Sequence, residues 1–497
     1  MYWANFLHVY QPAEQQSDIL EAIVAQSYRS IFEHIRDAKR VRATLNINGA
    51  LLELFDKNGY QDLIDMLRVA GSEGRLEFTG CAKYHAFLPF LEEKEIIRQI
   101  KTNDETNKFF LGDMYAPQGF FPPEMAYNPK LAPIVESLGF KWIMLDEIAK
   151  DGNPGSVDYS KIYTIQGTKL GVFFRERRTS NMIMSAIVRS PETLEQAMKD
   201  ELNKKRYLLT AMDGETFGHH RPGLEKMLFS VWESKKFDLV TVSELATHFK
   251  ERAVVSPVAS TWASSKEDID KGIQFLSWSD PENRIHTWQW ELVKMTLEEV
   301  YTMDSKHPRY ERVRHKMDLG LASDHFWWAS AKPWWSLEMI EDGAYRLLET
   351  IRTIPGVSEA KLFRARDLYE KIISTAFNWQ RTGKIRQMMR DQKAILRIPF
   401  YDRTITKGGA EEGVFHAFLD MIGGLEKEAA ARGEYEKAIL WRDAAYKLKN
   451  KLDIYDTINA IDLLRVEISH DDVEKTIEKY KAEYQRIRGG QPEQRGN

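Results

Sequence analysis

The sequence has very little cysteine, no surplus of charge of either sign and no long apolar run. Its single cysteine, Cys81, cannot close an intrachain disulfide, and a zinc site would need His, Asp or Glu ligands instead. The 70 basic residues stand against 74 acidic ones, which removes the basic surplus expected of a nucleic-acid-binding protein. No apolar run approaches the ~18 residues that cross a bilayer, and the first residues, MYWANFLHVYQP, lack the basic start and cleavage site of a signal peptide. We therefore expect a cytoplasmic protein with no nucleic-acid or membrane partner.

The remaining composition describes a large folded protein. A chain of 497 residues with 43% hydrophobic and 29% charged residues is neither disordered nor fibrous. In residues 1–250, short apolar, β-branched or aromatic runs alternate with amphipathic stretches, the pattern of repeated β-α units around a parallel sheet. We expect a closed or nearly closed barrel, whose active site forms at the C-terminal strand ends. The predicted strands are 3–9, 42–47, 76–79, 119–121, 142–145, 170–174, 207–212 and 239–242.

Helical spacing dominates the rest of the chain. Apolar residues at positions 19, 23, 31 and 35 predict a helix over 18–38, and beyond about residue 250 the strand pattern stops. Loops 255–266 and 277–283, rich in Ser, Pro and Asp, are placed to reach over the barrel mouth. We predict a catalytic barrel (1–250), a helical domain contributing to the cleft (251–405) and a charged helical segment with a frayed tail (406–497). The clearest later helices are 291–301, 345–353, 360–377 and 384–398.

Two acidic residues stand directly after predicted strands. Glu124 follows an apolar run and two prolines in GFFPPEMAYNP, and Asp213 follows a strand in YLLTAMDGETFGHH. One acid in such a place is usually a helix cap. Two acids on separate strands of one barrel are able to cleave a glycosidic bond, one as nucleophile and the other as proton donor. A separation of about 5 to 5.5 Å would give retention of configuration, and about 6.5 to 9.5 Å inversion.

Other polar residues follow the predicted strands and are candidates for binding sugar hydroxyls. His8 and Gln11 follow the first strand, Asn46 and Asn48 lie at the end of the second, and His85 comes after the third. Each alone is equally typical of a core or loop position, but their shared placement favours a pocket.

The adjacent pair His219 and His220 admits a metal site, since imidazole is a common ligand. Adjacent histidines rarely chelate together, however, and no HExxH or aspartate-rich motif accompanies them. We predict neither a metal nor a cofactor.

Tryptophan is concentrated in one part of the chain. Nine of the thirteen tryptophans lie between Trp262 and Trp379. They are equally typical of a helical core, because large aromatics contribute buried area, and of a carbohydrate surface, because indole rings pack on the flat faces of pyranose rings. The candidates for sugar contact are Trp288, Trp327 and Trp328.

Five segments, in order, resemble the motifs of glycoside hydrolase family 57, whose members act on α-glucans and related α-linked sugars. The fourth, MDGETFGHH, is the most specific, and the second, GRLEFTG, is the weakest. Two positions depart from the family's motifs and bear on which sugars the subsites prefer. Phe121 stands where the family commonly has Trp, and the first motif lacks a second histidine that many members carry. The segments are LHVYQP, GRLEFTG (with Gly74, Leu76 and Glu77), FFPPEMAYNP, MDGETFGHH and LASDHFWW.

The resemblance implies an incomplete (β/α)7 TIM-like barrel followed by a mainly helical region, and retaining chemistry without a metal. It assigns Glu124 as nucleophile and Asp213 as general acid/base, with Glu215 as a competing acid or a hydroxyl ligand. The complete set of predicted substrate-binding residues is His8, Gln11, His85, Glu215, His219, His220, Trp288, Asp324, Trp327 and Trp328.

The predicted function is a retaining glycosidase on α-glucan or maltooligosaccharide substrates, by hydrolysis or 4-α-transfer. The DGETFGHH form of the fourth motif favours these reactions over branching. A branching enzyme and an α-galactosidase remain alternatives within the family. A metal-dependent sugar deacetylase and a non-catalytic glucan-binding protein are the rivals outside it. The oligomeric state stays open, a homo-oligomer included. Residues 433–452 resemble a helical hairpin of bacterial excision-repair subunits and equally an ordinary amphipathic hairpin.

Overall fold

Ten strands form one curled sheet in the N-terminal half of the protein. The computed structural model describes residues 1–391 except 187, 189 and 333, then residues 413–450, and residues 464, 467, 468 and 470–489. All eight predicted strands are present, with ends shifted by at most two residues. The strands are β1 Tyr2–Val9, β2 Ala43–Ile47, β3 Leu76–Gly80, β4 Gly119–Phe120, β5 Trp142–Asp146, β6 Ile162–Ile165, β7 Gly171–Arg175, β8 Leu208–Asp213, β9 Asp238–Val240 and β10 Arg252–Val255.

The expectation that strands end near residue 250 is wrong. Strand β10 follows that point and pairs in parallel with β6, which the sequence also did not reveal. Both are four residues long. Strand β10 is the edge of the sheet, where Val254 is 71% exposed, and β6 lies between it and β7. A short edge strand such as β10 lacks the apolar run of a buried strand, and this explains why the apolar pattern did not reveal β10.

The sheet is open and mostly parallel, and the prediction of an incomplete barrel is confirmed. The strand order is β10-β6-β7-β5-β4-β3-β2-β1-β8, with β9 also paired to β1. One pair, β6 with β7, is antiparallel, in contrast to the uniformly parallel sheet expected. Among the described residues no ladder joins β7 to β8; there, the Glu176 amide just after β7 donates to the Leu209 carbonyl at 2.7 Å.

Helices cover the sheet and form most of the later chain. The predicted helix 18–38 is two helices joined by a π-helical turn, Val24–Tyr28, and Ile19 in its first turn is 40% exposed. The helices are α1 Ser17–Ile23, α2 Arg29–Asp37, α3 Gly49–Lys57, α4 Gln61–Ser72, α5 Glu93–Leu111, α6 Leu131–Ser137, α7 Arg177–Met184, α8 Pro191–Met198, α9 Leu224–Glu233, α10 Val242–His248, α11 Lys266–Asp270, α12 Arg284–Thr302, α13 Tyr310–Gly320, α14 Asp324–Trp327, α15 Leu337–Thr353, α16 Glu359–Thr382, α17 Lys384–Asp391, α18 Val414–Ala431, α19 Tyr435–Lys449 and α20 His470–Gly489.

The region after the sheet is mainly helical, as predicted. Helices α12, α13, α15 and α16 pack on one another, and their apolar residues join the same large core as much of the sheet. Helices α18, α19 and α20 share a separate apolar cluster that includes Phe418, Trp441 and Ile477. The segment 433–452, compared above with a helical hairpin, contains a turn and the single helix α19, which packs on the preceding helix α18. Residues 451–452 of that segment, and residues 392–398 and 490–497 of the predicted helix and tail, lie outside the described residues. The three-part domain division stays a prediction.

Alternation along the strands directs the candidate residues to one face. In β8, Leu209 and Ala211 belong to the large core, while Leu208 and Met212 belong to a second cluster with residues of the outer helices. Successive side chains of a strand point to opposite faces, so Asp213 lies on the face of Leu209 and Ala211. Asp213 is also the register partner of His8 in β1, and His8 is the partner of Asn46 in β2. Three polar residues thus form a row at one end of the sheet.

Candidate active site

Glu124 lies at the end of β4 in a backbone conformation that is unusual for a side-chain-bearing residue. Its φ is 62° and that of the following Met125 is 47°, both in the left-handed region. Pro122 and Pro123 have no amide hydrogen and end the ladder after two residues. Strained residues of this kind are concentrated at functional sites. This turn carries the Glu124 side chain, which remains 16% exposed to solvent.

A tryptophan from a distant loop holds the Glu124 carboxyl group. The Trp262 indole donates from Nε1 to Glu124 Oε2 at 2.9 Å, and the Trp262 backbone amide donates to the Glu124 carbonyl at 3.2 Å. Trp262 belongs to the loop after β10 that was expected to reach the barrel mouth. The other carboxyl oxygen, Oε1, lies 3.7 Å from His85 Nδ1.

A chain of hydrogen bonds runs from the sheet to this carboxyl group. Asn46 Nδ2 donates to Thr79 Oγ1 at 3.0 Å, which leaves Asn46 Oδ1 to accept from His8 Nδ1 at 2.8 Å. His8 Nε2 lies 3.2 Å from His85 Nε2, and His85 Nδ1 lies 3.0 Å from the Ser323 hydroxyl, which also hydrogen-bonds the Glu124 carboxyl group. Burial lowers the pKa of His8 to about 4 and that of His85 well below its usual value. Both rings are therefore neutral, and each uses both nitrogens within the protein.

Glu215 occupies a buried pocket beside Asp213. Its Oε1 accepts hydrogen bonds from the Tyr28 hydroxyl, from Gln11 Nε2 at 3.2 Å and from the Tyr10 amide at 3.2 Å. The π-helical turn that supplies Tyr28 holds this loop at a second point, because Ser27 Oγ donates to the Gly214 carbonyl at 3.1 Å. The loop that follows the strand of Asp213 is thus fixed from two sides.

Burial and mutual repulsion favour the protonated forms of the carboxyl groups. Burial, followed by the charges of Asp213 and Asp324, raises the pKa of Glu124 to about 8. Burial raises the pKa of Asp213 too, but the Arg175 guanidinium opposes this rise. Burial and then the charge of Asp213 raise the pKa of Glu215. These interactions require the carboxyl groups to lie within electrostatic reach of one another.

The fifth sequence motif supplies Asp324 and two tryptophans, Trp327 and Trp328, on which a third tryptophan packs. Asp324 Oδ2 accepts from the Tyr10 hydroxyl at 2.6 Å, and the Tyr10 ring stacks on His85 with centroids 4.0 Å apart. Trp327 and Trp328 are half-buried, and their ring centroids lie 5.0 Å apart. Trp334 stacks on Trp327 at 4.8 Å. The two tryptophans of the motif thus follow Asp324 closely in the chain and form one aromatic cluster with Trp334.

Three predicted site residues lie further out. His219 Nδ1 is 2.7 Å from Gln26 Oε1 of the π-helical turn, and the backbone amide of the exposed His220 donates to the Glu215 carbonyl at 2.7 Å. Trp288 is half-buried on α12 against the large core, and no hydrogen bond or ring contact between described residues joins it to Glu124 or Asp213.

Glu77, from the weakest motif, serves the structure. It lies near the start of β3, whereas the candidate site is at the C-terminal strand ends. Its carboxyl group accepts from Thr44 Oγ1 at 2.9 Å and from the Ser243 amide at 3.1 Å, which fixes α10 to the sheet.

Several residues of the site did not stand out in the sequence. Tyr10 stands between His8 and Gln11 in HVYQP, and its place just past a strand end was an available signal. Trp262 carried only the signal of its tryptophan-rich surroundings. No sequence pattern marked Tyr28 or Arg175. Tyr28 reaches the site from a π-helical turn between two helices, and Arg175 through a hydrogen bond across the open edge of the sheet.

No three His, Cys, Asp or Glu side chains in the described part of the chain are arranged to hold a metal ion. The described helices include none long and apolar enough to span a membrane.

Comparison with known proteins places the chain in a family. Residues 7–258, about half of the chain, match the model of glycosyl hydrolase family 57. The chain is 24% identical over 265 residues to alpha-amylase 1 of Dictyoglomus thermophilum, which covers 50% of this chain and 37% of that protein. It thus spans little more than a third of that relative's length.

Two solved structures share the fold. A GH57-type branching enzyme from Pyrococcus horikoshii superposes with a TM-score of 0.58 at 16% identity, covering 75% of this chain and 94% of that one. A 4-alpha-glucanotransferase from Thermococcus litoralis gives a TM-score of 0.55 at 18% identity, covering 71% and 60%. The family match, the incomplete barrel and the carboxyl groups at its strand ends lead to one conclusion: this chain belongs to glycosyl hydrolase family 57.

Proposed function

We propose that the protein is a retaining glycosidase that acts on α-1,4-glucans by hydrolysis or 4-α-glucan transfer. One observation carries this proposal: Glu124 and Asp213, from different strand ends, meet at the His8–His85 pair. Asp213 is the register partner of His8, and His85, 3.2 Å from His8, lies 3.7 Å from the Glu124 carboxyl group. Membership of a family that includes an α-amylase, a glucanotransferase and branching enzymes supports the substrate class.

The reaction follows from the two groups in two steps. A Glu124 carboxylate oxygen bonds to the anomeric carbon while the glycosidic C–O bond breaks, and Asp213 gives its proton to the departing oxygen. In the second step Asp213 takes a proton from water or from a sugar hydroxyl. That oxygen then attacks the anomeric carbon and releases Glu124. Two inversions give net retention, and the acceptor decides between hydrolysis and transfer.

The charges at the site define the form that reacts. Glu124 has to be ionised and Asp213 protonated before the first step. With a pKa of about 8, Glu124 is mostly protonated at neutral pH. The Trp262 indole stabilises the carboxylate form of Glu124, and the charge of Arg175 acts to lower the pKa of Asp213. The reactive form is therefore a minority state that substrate binding has to select.

The predicted substrate-binding residues divide into two groups. We assign Trp327, Trp328 and Asp324 to sugar contact, since the charge of Asp324 acts on Glu124 and the two half-buried tryptophans follow Asp324 closely in the chain. For His8 and His85, a hydrogen bond to a sugar would require breaking the chain that engages all four ring nitrogens. Gln11 and Glu215 are joined to each other, and His219, His220 and Trp288 would contact only the outer part of a long glucan.

The decisive experiment compares the wild type with Glu124→Ala on maltoheptaose, separating products by size. The variant should lose turnover and keep oligosaccharide binding, and unchanged activity would remove Glu124 from its role. Shorter products alone indicate hydrolysis, longer linear products indicate transfer, and new α-1,6 links indicate branching. Turnover of an α-galactoside instead would reassign the substrate, and loss of activity on chelation would favour a metal-dependent deacetylase.

A non-catalytic glucan-binding protein would bind maltoheptaose without turnover in the wild type as well. That result would contradict the proposed function even though the fold and the family remained.

A further inference from the structure

A buried carboxylate outside the proposed catalytic pair is held between two arginines. Asp146, at the end of β5, has a side chain with no solvent exposure. Arg175 Nη1 lies 2.8 Å from its Oδ2, and Arg177 Nη2 lies 2.8 Å from its Oδ1. The two guanidinium groups are 3% and 15% exposed. Burying two positive charges against one negative charge is costly, unless their remaining N–H groups find other partners.

Arg175 uses its other donors to hold the strand of Asp213. Its Nε donates to the Ala211 carbonyl at 2.7 Å, and its Nη2 donates to Asn181 Oδ1 at 2.7 Å. This contact crosses the edge where no ladder joins β7 to β8 in the described chain. Strand β8 is paired with β1 along its length, but on its other side it is held by few bonds, and Arg175 makes one of them two residues before Asp213.

Arg177 uses its other donors to hold the loop that contacts Glu124. It donates to the carbonyl of Trp262 at 3.0 Å and to the carbonyl of Ser264 at 2.8 Å. Trp262 in turn binds the Glu124 carboxyl group through its indole and the Glu124 carbonyl through its amide. Asp146 is thus connected to one catalytic group through Arg175 and to the other through Arg177.

We propose that Asp146 is a positioning residue that fixes Glu124 and Asp213 relative to each other through its two arginines. This inference rests on the proposed function of those two groups. Substrate does not touch Asp146, because the arginines enclose it. Its role is to hold two segments that the open sheet leaves without a common ladder.

The charge of Asp146 also acts on Asp213. The groups that face Asp213 are His8, Arg175, Glu124, Glu215 and Tyr28. His8 is neutral, and Arg175 is the positive charge among these groups. Removing the negative charge of Asp146 would leave Arg175 uncompensated, and Asp213 would then lose its proton at a lower pH.

Asp146→Asn in the full chain tests the proposal, with kcat and KM for maltoheptaose measured across pH. We expect kcat to fall about 10²-fold, the loss that a displacement of about 1 Å produces, while KM changes less than about threefold. The acidic limb of the pH profile, which follows Asp213, should move to lower pH. Arg177→Lys, which removes the paired donors to the loop but keeps the charge, should lower kcat without moving that limb.

Glu95→Gln is the matched control, since Glu95 is a buried carboxylate bound by Arg98 and Arg314 that links α5 to α13. Its loss should lower the melting temperature and leave the pH profile unchanged. If Asp146→Asn and Arg177→Lys change the kinetics no more than Glu95→Gln does, the positioning role is refuted and the proposed function stands. A wild type that does not cleave any glucan refutes both.

Discussion

The hydrogen bond from Trp262 to Glu124 provides a quantitative test of the electrostatics at the site. The indole donates at 2.9 Å and lowers a pKa that burial and two neighbouring carboxyl groups raise to about 8. A hydrogen bond to a charged group contributes about 1.5 to 3 kcal/mol, and one pKa unit corresponds to about 1.4 kcal/mol. Trp262→Phe keeps an aromatic ring and removes the donor. It should therefore raise the pKa of Glu124 by about one to two units.

The kinetic consequence follows from the ionised fraction. With a pKa of about 8, roughly a tenth of Glu124 is ionised at pH 7. The variant should leave about 10- to 100-fold less of the ionised form, and kcat/KM at pH 7 should fall by the same factor. Of the two proposed catalytic groups, Glu124 has the higher pKa, because carboxyl groups face it while Arg175 faces Asp213. The alkaline limb of the kcat/KM profile therefore follows Glu124 and should move to higher pH.

The assay is kcat/KM for a maltooligosaccharide from pH 5 to pH 10, a range chosen to cover both limbs. Trp290→Phe is the matched control, because its indole donates at 2.9 Å to the Trp278 carbonyl and not to Glu124. That variant should keep the wild-type limb. An alkaline limb that stays in place in Trp262→Phe, with activity reduced or not, would refute the reasoning that the indole sets the ionisation of Glu124.

Three further predictions concern the acid and the fold. Asp213→Asn should reduce cleavage of natural glucan about 10²- to 10⁴-fold, and should reduce cleavage of a substrate with an activated leaving group much less. Glu215→Gln should affect both substrates equally. The opposite pattern would make Glu215 the acid. Gly119→Ala should lower the free energy of unfolding by about 1 to 3 kcal/mol, since its Cβ would lie 2.1 Å from the Trp142 indole; urea unfolding measures this. Gly423→Ala, inside α18 with nothing within 4 Å of the added Cβ, should instead stabilise by about 0.5 to 1 kcal/mol, because Ala favours a helix over Gly. An equal loss in both variants would contradict the steric argument.

The sequence by itself determined eight of the ten described strands, their approximate ends and the acids that follow two of them. Alternation and apolar runs are local properties, so β1, β5 and β8 could be located within one or two residues, and Glu124 and Asp213 could be recognised as residues at strand ends. Strands β6 and β10 were missed, because runs of four residues are too short to mark a strand by its apolar pattern.

Tertiary structure alone decided which groups meet. Trp262 contacts Glu124 across 138 positions of sequence, and Ser323 reaches His85 across 238. No local pattern encodes such pairs, because they depend on the register of neighbouring strands and on the path of the loops between them. The same holds for the ionisation of the site. A carboxyl group's pKa is set by its burial and by the charges around it, and both exist only once the sheet has curled and brought its strand ends together.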